Sequence, residues 1–329
     1  MTAPALDTSA ITALIADATA APSLHNAQPW KFRFHRGSGT LRLYADLERE
    51  LPKTDPDNRG LRLGCGAALF NLRVAAVAAG RDPAVRLLPD DSDPMLLAEV
   101  DLTGSAPPDD PLAVLQPAIH RRHTSRAPFL EDDIPDVLRD GLCVAARLEG
   151  CRLVFPETWH VQAVLDLVHD AECCEAWAPD VRNETAHWVR TEPASETSAS
   201  DGIPAEALGP GQWGASSPVR DLTVGRTVAG RDWAPFEKCP HLALLGTAHD
   251  RPVDWLWAGQ ALERVWLQAT LDGLVASLTS QPLEWPEFRW AVRDPASAMA
   301  YVQMVIRLGY GPEGHPTPRR PVTEVLDIV

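Results

Sequence analysis

The segment Ala21-Pro22-Ser23-Leu24-His25-Asn26-Ala27-Gln28-Pro29-Trp30 gathers hydrogen-bonding side chains between two prolines and ahead of an indole. Asn26 and Gln28 each carry paired donors and acceptors, which suit the N–H and C=O edge of a flat heterocycle. Pro29 biases Gln28 toward extended backbone, and Trp30 opens an apolar strand. His25 taken alone reads as a hydrogen-bonded loop residue, not a catalyst. Further along, Arg121-Arg122-His123-Thr124-Ser125-Arg126 surrounds two hydroxyls with basic groups. Guanidinium groups bind phosphate oxygens in pairs, and hydroxyls or backbone N–H groups fill the remaining acceptor sites. Taken alone, this is equally a solvated patch, because nearly all positive charge here is arginine; only Lys31, Lys53 and Lys238 are lysines. Pro318-Arg319-Arg320-Pro321 is a second basic point, held extended by its prolines. Should the C-terminal strand return beside the first cluster, both can hold one dianion.

Two nearly all-apolar helices have to position these loops, one at about Leu61–Ala79 and one at about Asp254–Asp272. They align without gaps, pairing Leu63 with Leu256, Gly66 with Gly259, Leu69 with Leu262, Ala76 with Ala269 and Gly80 with Gly273. Apolar residues on most faces imply burial on nearly all sides. Small residues near each start let another backbone approach, and a glycine closes each helix. The flanks repeat as well. A helix (Thr8–Ala20) and strands at Trp30–His35 and Thr40–Ala45 precede the first central helix; Val85–Leu88 and Leu96–Leu102 follow it. The second half offers a helix (Pro135–Leu148), strands at Cys151–Phe155 and His241–Thr247, its central helix, and a strand at Tyr301–Leu308. This order predicts an α+β fold duplicated within one chain, not regular βαβ winding. The expected division is 1–110 and 111–329.

The second half alone carries an insertion between Phe155 and His241. Its first part, 157–190, reads as helical. The stretch 191–235 is rich in Pro, Gly, Ser and Ala around Trp213, a composition that fits a linker or a lid equally well.

Bulk properties narrow the function. The 329 residues allow two cores, since one core serves ~100–200 residues. Hydrophobic residues at 45% and charged residues at 23% are those of a globular protein. A net charge of −15 offers no basic stripe for nucleic acid. No stretch reads as a membrane span or an export signal, so a cytoplasmic protein is expected. The six cysteines show neither C-x-x-C nor zinc-ligand spacing, and no metal site is expected. Gly64-Cys65-Gly66-Ala67-Ala68-Leu69 approximates a dinucleotide fingerprint but ends in leucine and follows no strand; helix packing explains it better.

Together the two loop motifs resemble those of the nitroreductase-like FMN-binding flavoproteins. The family's A-P-S-x-x-N-x-Q-P-W loop is similar to residues 21–30. Its R-[RH]-S-x-[RK] phosphate motif is similar to Arg122-His123-Thr124-Ser125-Arg126, with threonine for serine. Its G-Y…R-x-P tail is similar to Gly309-Tyr310 followed by Arg319, Arg320 and Pro321. The resemblance spans most of the chain outside the insertion. Family members are usually homodimers with FMN at the interface, so the duplicated chain looks like a fused pseudo-dimer of the Acg-like branch, with one working flavin site and one degenerate site. A monomer or weak homodimer follows.

Carried over by position, the resemblance assigns Arg122, His123, Thr124 and Arg126 to the phosphate and pyrimidine edge. It assigns Pro22, Ser23, Asn26 and Gln28 to the ring, and Arg319 or Arg320 to the remaining phosphate charge. Ser280 and Gln281 occupy the position of backbone donation to flavin N5. It implies FMN as cofactor, NADH or NADPH as transient reductant, and a nitroaromatic or quinone-like small-molecule acceptor. The alternative is a lidded FMN-binding protein with little turnover, Trp213 covering the ring.

Overall fold

The computed structural model describes residues 6–191, 199–212 and 218–329. Trp213, proposed as a ring cover, lies outside the described residues. The first half contributes α1 (Thr8–Thr19), β1 (Trp30–His35), β2 (Thr40–Ala45), α2 (Arg59–Ala78), β3 (Arg81–Leu87) and β4 (Leu96–Ser105). The second contributes α3 (Asp136–Leu148), β5 (Arg152–Val154), α4 (Thr158–Trp177) and α5 (Pro179–Trp188). It continues with the two-residue strands β6 (Gly211–Gln212) and β7 (Trp233–Ala234), then β8 (His241–Thr247), α6 (Pro252–Leu271), β9 (Val275–Thr279) and β10 (Tyr301–Gly309). A last strand, β11 (Leu326–Ile328), ends the chain.

The duplication is visible in the sheets. The first sheet runs β1-β2-β4-β3 and the second β5-β8-β10-β9, the same order of corresponding strands, with every one of these pairings antiparallel. Each sheet buries one face against its own central helix, giving two hydrophobic cores that share the helix pair.

The helix pair itself obeys a pseudo-twofold. A Cβ on Gly66 would collide with the Leu256 carbonyl and lie 3.0 Å from the Gly259 Cα. One on Gly259 would collide with the Leu63 carbonyl and lie 2.9 Å from the Gly66 Cα. Because Gly66 aligns with Gly259 and Leu63 with Leu256, the contact is self-complementary, as a twofold interface requires. The glycines are there because two backbones occupy the space their side chains would need.

Three expectations change. The strand β11 adds to the first sheet, parallel to β1 through Phe32–Leu326 and Phe34–Ile328. A cut at residue 110 therefore leaves this strand on the wrong side, and the tail carrying Arg319 and Arg320 crosses to the first half. The helical stretch 157–190 is two helices, broken at Ala178 before Pro179, whose ring cannot continue a helix. Finally, α2 is long and apolar enough to cross a membrane, contrary to the reading of the sequence, but nearly all of it is buried in the protein. It is the core helix of the first half.

Candidate functional site

The loop 20–29 between α1 and β1 has an unusual backbone. His25, Asn26 and Gln28 adopt φ of 51°, 56° and 55°. Such left-handed values are uncommon for residues with side chains, and strain of this kind persists where the surroundings over-determine it. Here they do. Within the loop, the Gln28 N–H donates to Ser23 Oγ at 2.9 Å, and Asn26 and Ala27 N–H groups reach back to Ser23 and Leu24 carbonyls. From outside, the Asn26 amide donates to the carbonyls of Gly202 (2.9 Å) and Pro318 (3.0 Å) and accepts from Arg319 Nη1 at 3.0 Å.

The basic motif is set by the edge of β9. Thr124 bridges Ala276, and the Ser125 N–H donates to the Ala276 carbonyl at 2.9 Å. Arg122 is 2% exposed, stacked over Trp266 at 4.5 Å, with Nε 3.2 Å from Glu263 and Nη2 on the Ala20 carbonyl. Burial raises the Glu263 carboxyl to about 6, opposed by the attraction of Arg122. Arg319 donates to the carbonyls of Thr19, Ala20 and Ala21, capping the C-terminal end of α1 where carbonyls lack helical partners. Burial, aided by Arg122, brings its pKa down to about 9. Arg126 is different. Its described bond is Nη1 to the Ala207 carbonyl at 2.8 Å, no carboxylate among the described residues pairs with it, and burial lowers it to about 10. His123, half-buried beside Arg122 and Arg319, is pushed down to about 4, mainly by desolvation.

These elements enclose one cavity. Pro22, Ser23, Asn26, Arg122, His123, Thr124, Arg126, Ser280, Gln281 and Arg319 all line it. The first half closes it with the start of α2, where Gly64 lets Ser23 approach: a Cβ there would stand 3.1 Å from that of Ser23. Leu63 and Leu262 from the two central helices supply apolar walls. Several buried polar atoms on the walls have no partner among the described residues: His25 Nε2, Thr54 Oγ1, Ser277 Oγ and Gln281 Oε1. Buried polar groups are nearly always paired, so unpaired ones converging on a cavity mark a place built for a polar ligand.

Two of the residues singled out in the sequence do not reach the cavity. Gln28 is fully buried; its Nε2 donates to the Ser200 carbonyl and its Oε1 accepts from the Arg320 N–H, both at 2.8 Å. A buried amide needs both ends satisfied, and the backbone supplies both. Arg320 points away from its neighbour Arg319, as successive residues in an extended segment do, and meets Asp46 at 3.1 Å. Asn26 lines the cavity with its amide already committed on both sides.

The sequence offered the insertion as a lid or a linker but singled out none of its residues that line the cavity. Ile203, Arg220 and Leu222 form part of the wall, and Arg220 is anchored between Glu175 and Glu284, each at 2.9 Å. Despite burial, these two carboxylates hold the Arg220 guanidinium above its ordinary pKa. A basic residue flanked by Val219 and Asp221 carried no periodic signal. His25 was visible, but its strained backbone and unpaired nitrogen were not.

An α+β chain doubled about a helix crossing, with a polar cavity between its halves, is the class that fold and site define. No protein-family model matches the sequence. It is 32% identical over 98% of its length, and 92% of the relative, to the Mycobacterium tuberculosis protein named "Putative NAD(P)H nitroreductase Rv3131". It is 30% identical over 94% of its length to "Putative NAD(P)H nitroreductase acg" of the same organism, covering 92% of it. The chain belongs to this Acg-like branch of the nitroreductase-like family. Among solved structures it is similar to a BluB-like flavoprotein from Clostridium difficile (TM-score 0.42, 15% identity, 65% of this chain and 98% of that one). It is also similar to the FMN- and NADPH-dependent nitroreductase NfnB of a Sphigopyxis strain (TM-score 0.39, 16% identity, 65% and 97%).

Proposed function

We propose that the cavity holds one FMN and that the chain is an NAD(P)H-dependent oxidoreductase acting on nitroaromatic or quinone-like acceptors. The observation that carries this reading is the meeting, in one cavity, of Arg126 with the Pro22–Ser23 turn of the other half. Arg126 is a partly buried cation with no carboxylate partner among the described residues, and a phosphate would supply its counter-anion. The walls fit the rest of the group: aliphatic Leu63 and Leu262 for a ring, and unpaired His25, Ser277 and Gln281 atoms for its polar edge. The names of the relatives, NAD(P)H nitroreductases, point the same way.

When bound, FMN supplies a ring that accepts hydride from reduced nicotinamide and hands electrons to the acceptor. The chain supplies position and electrostatics. Arg126 would hold the phosphate, and Arg319, its N–H groups committed to the end of α1, Asn26 and Thr317, would add positive charge beside it. Arg122, neutralised by Glu263, stiffens the motif and is not a free anion ligand. Ser280 and Gln281 would meet the ring's edge, with the Ser280 hydroxyl donating to Glu284 at 2.7 Å. Ile203 and Leu222 of the insertion would shield it on one side.

A second reading, a lidded FMN-binding protein with little turnover, has its own support. The insertion bonds the site directly, through Gly202 to Asn26 and Ala207 to Arg126. Anaerobic stopped-flow mixing of the flavin-loaded protein with NADH or NADPH separates the two. Bleaching of the flavin band within seconds is expected; an unchanged band with both reductants rejects turnover and leaves the lidded reading.

A further inference from the structure

Among the residues of the loop 20–29, His25 is the one whose side chain the protein leaves unfinished. The imidazole is 4% exposed and lines the cavity, yet its Nε2 has no partner among the described residues. Its neighbours are spent: Ser23 Oγ accepts the Gln28 N–H, the Asn26 amide is bonded to Gly202, Pro318 and Arg319, and the Gln28 amide to Ser200 and Arg320. Those bonds hold His25 in the left-handed conformation, which is uncommon for residues with side chains although histidine adopts it more readily than most. A relaxed backbone at this residue would aim the ring elsewhere. The tail from the far end of the chain and the insertion thus cooperate to keep one heteroaromatic edge turned into the cavity.

We propose that His25 is the ligand-orienting residue of this site, forming a hydrogen bond through Nε2 with a carbonyl or ring nitrogen of a planar ligand. The inference rests on the flavin reading above and extends it to a residue the family motif leaves unspecified. Two properties favour a neutral ring edge as the partner. Desolvation, with Arg220 and Arg126 nearby, keeps the imidazole uncharged. A neutral imidazole offers one donor and one acceptor nitrogen, which matches the alternating edge of a flavin pyrimidine, or the oxygens of a quinone or nitro group. Arg126 and Arg220, in turn, favour electron-rich oxygens on that edge.

The experiment compares wild type with His25→Asn and His25→Gln. Asparagine tolerates the left-handed backbone but stops short of the imidazole's reach; glutamine restores reach. Two dissociation constants are measured: FMN for the apoprotein, by fluorescence quenching, and 4-nitrobenzoate for the FMN-loaded protein, by perturbation of the flavin band. Thermal melting confirms that each variant is folded. If the flavin is the partner, His25→Asn weakens FMN binding by about tenfold and shifts the bound-flavin spectrum. If the acceptor is the partner, FMN binding is retained and 4-nitrobenzoate binding falls by about tenfold. Partial recovery in His25→Gln accompanies either result. Folded variants with both constants within about twofold of wild type, and an unaltered flavin band, overturn the role of His25. A wild type that binds no FMN instead refutes the flavin reading itself.

Discussion

The two halves differ most where they ought to correspond, at the connection between the outer helix and the first strand. In the first half, residues 20–29 make this connection, a long strained turn that leaves the buried His25 Nε2 without a partner among the described residues beside a cavity. In the second, residues 149–151 suffice. There Glu149 accepts from Arg73 at 2.5 Å and from Arg264 at 2.7 Å, and Arg73 also donates to Gln260. Charges in that corner satisfy one another, whereas in the first corner some polar groups wait for a partner. The helix starts differ in step: Gly64, which admits Ser23, aligns with Trp257, a half-exposed indole. A duplicated fold that keeps its shared crossing can let one of two equivalent corners close.

The comparison can be broken most severely at the crossing. Gly259→Val places branched carbons against the backbone of Leu63 and Gly66, which cannot yield as a flexible side chain would. A loss of at least about 3 kcal/mol is expected, measured by urea unfolding; a loss under about 1 kcal/mol would show that the helices slide apart freely. The next largest effect should come from Gly64→Trp, which copies the closed half into the open one. Gly64 is buried against Ser23 where Trp257 is exposed, so thermal melting first establishes that the variant folds. FMN affinity should fall by at least about tenfold as Ser23 is displaced, read by fluorescence titration.

The smallest effect sharpens the electrostatics. His123 has a folded pKa near 4, below its usual 6.5. Its neutral form therefore favours the native state above pH 6.5, and that contribution is lost as pH falls toward 4. Glu263, raised to about 6 by burial, acts in the opposite sense over part of the same range. The difference between wild type and His123→Gln isolates the histidine: from pH 7 to pH 4.5 the wild-type melting temperature should fall further than that of the variant. Parallel curves would mean that burial, with Arg122 and Arg319 beside it, does not hold the imidazole below its usual pKa.

Much of this architecture was legible in residue order. The repeat of Leu63-x-x-Gly66 as Leu256-x-x-Gly259 encodes the crossing directly, because close backbone contact admits only glycine. The strands Trp30–His35, Thr40–Ala45 and His241–Thr247 were readable to the residue, since their alternating or continuous apolar runs end at turn-forming residues. The cavity was legible as a meeting of two motifs. What each side chain does there was not. Gln28 and Arg320 fit the motif by type but pair with each other and with Asp46, a consequence of β11 crossing to the first sheet. That crossing depends on a three-residue strand without periodicity. Arg220 and Ile203 were hidden because the insertion's composition resembles a linker, although its described parts are bonded to the site.

The account stands on one ligand site per chain, assembled from both halves. The most direct measurement is the molar ratio of FMN to protein, from flavin absorbance and calorimetric titration of the apoprotein. One FMN per chain is expected. Two equivalent FMN molecules per chain, or none, would contradict it.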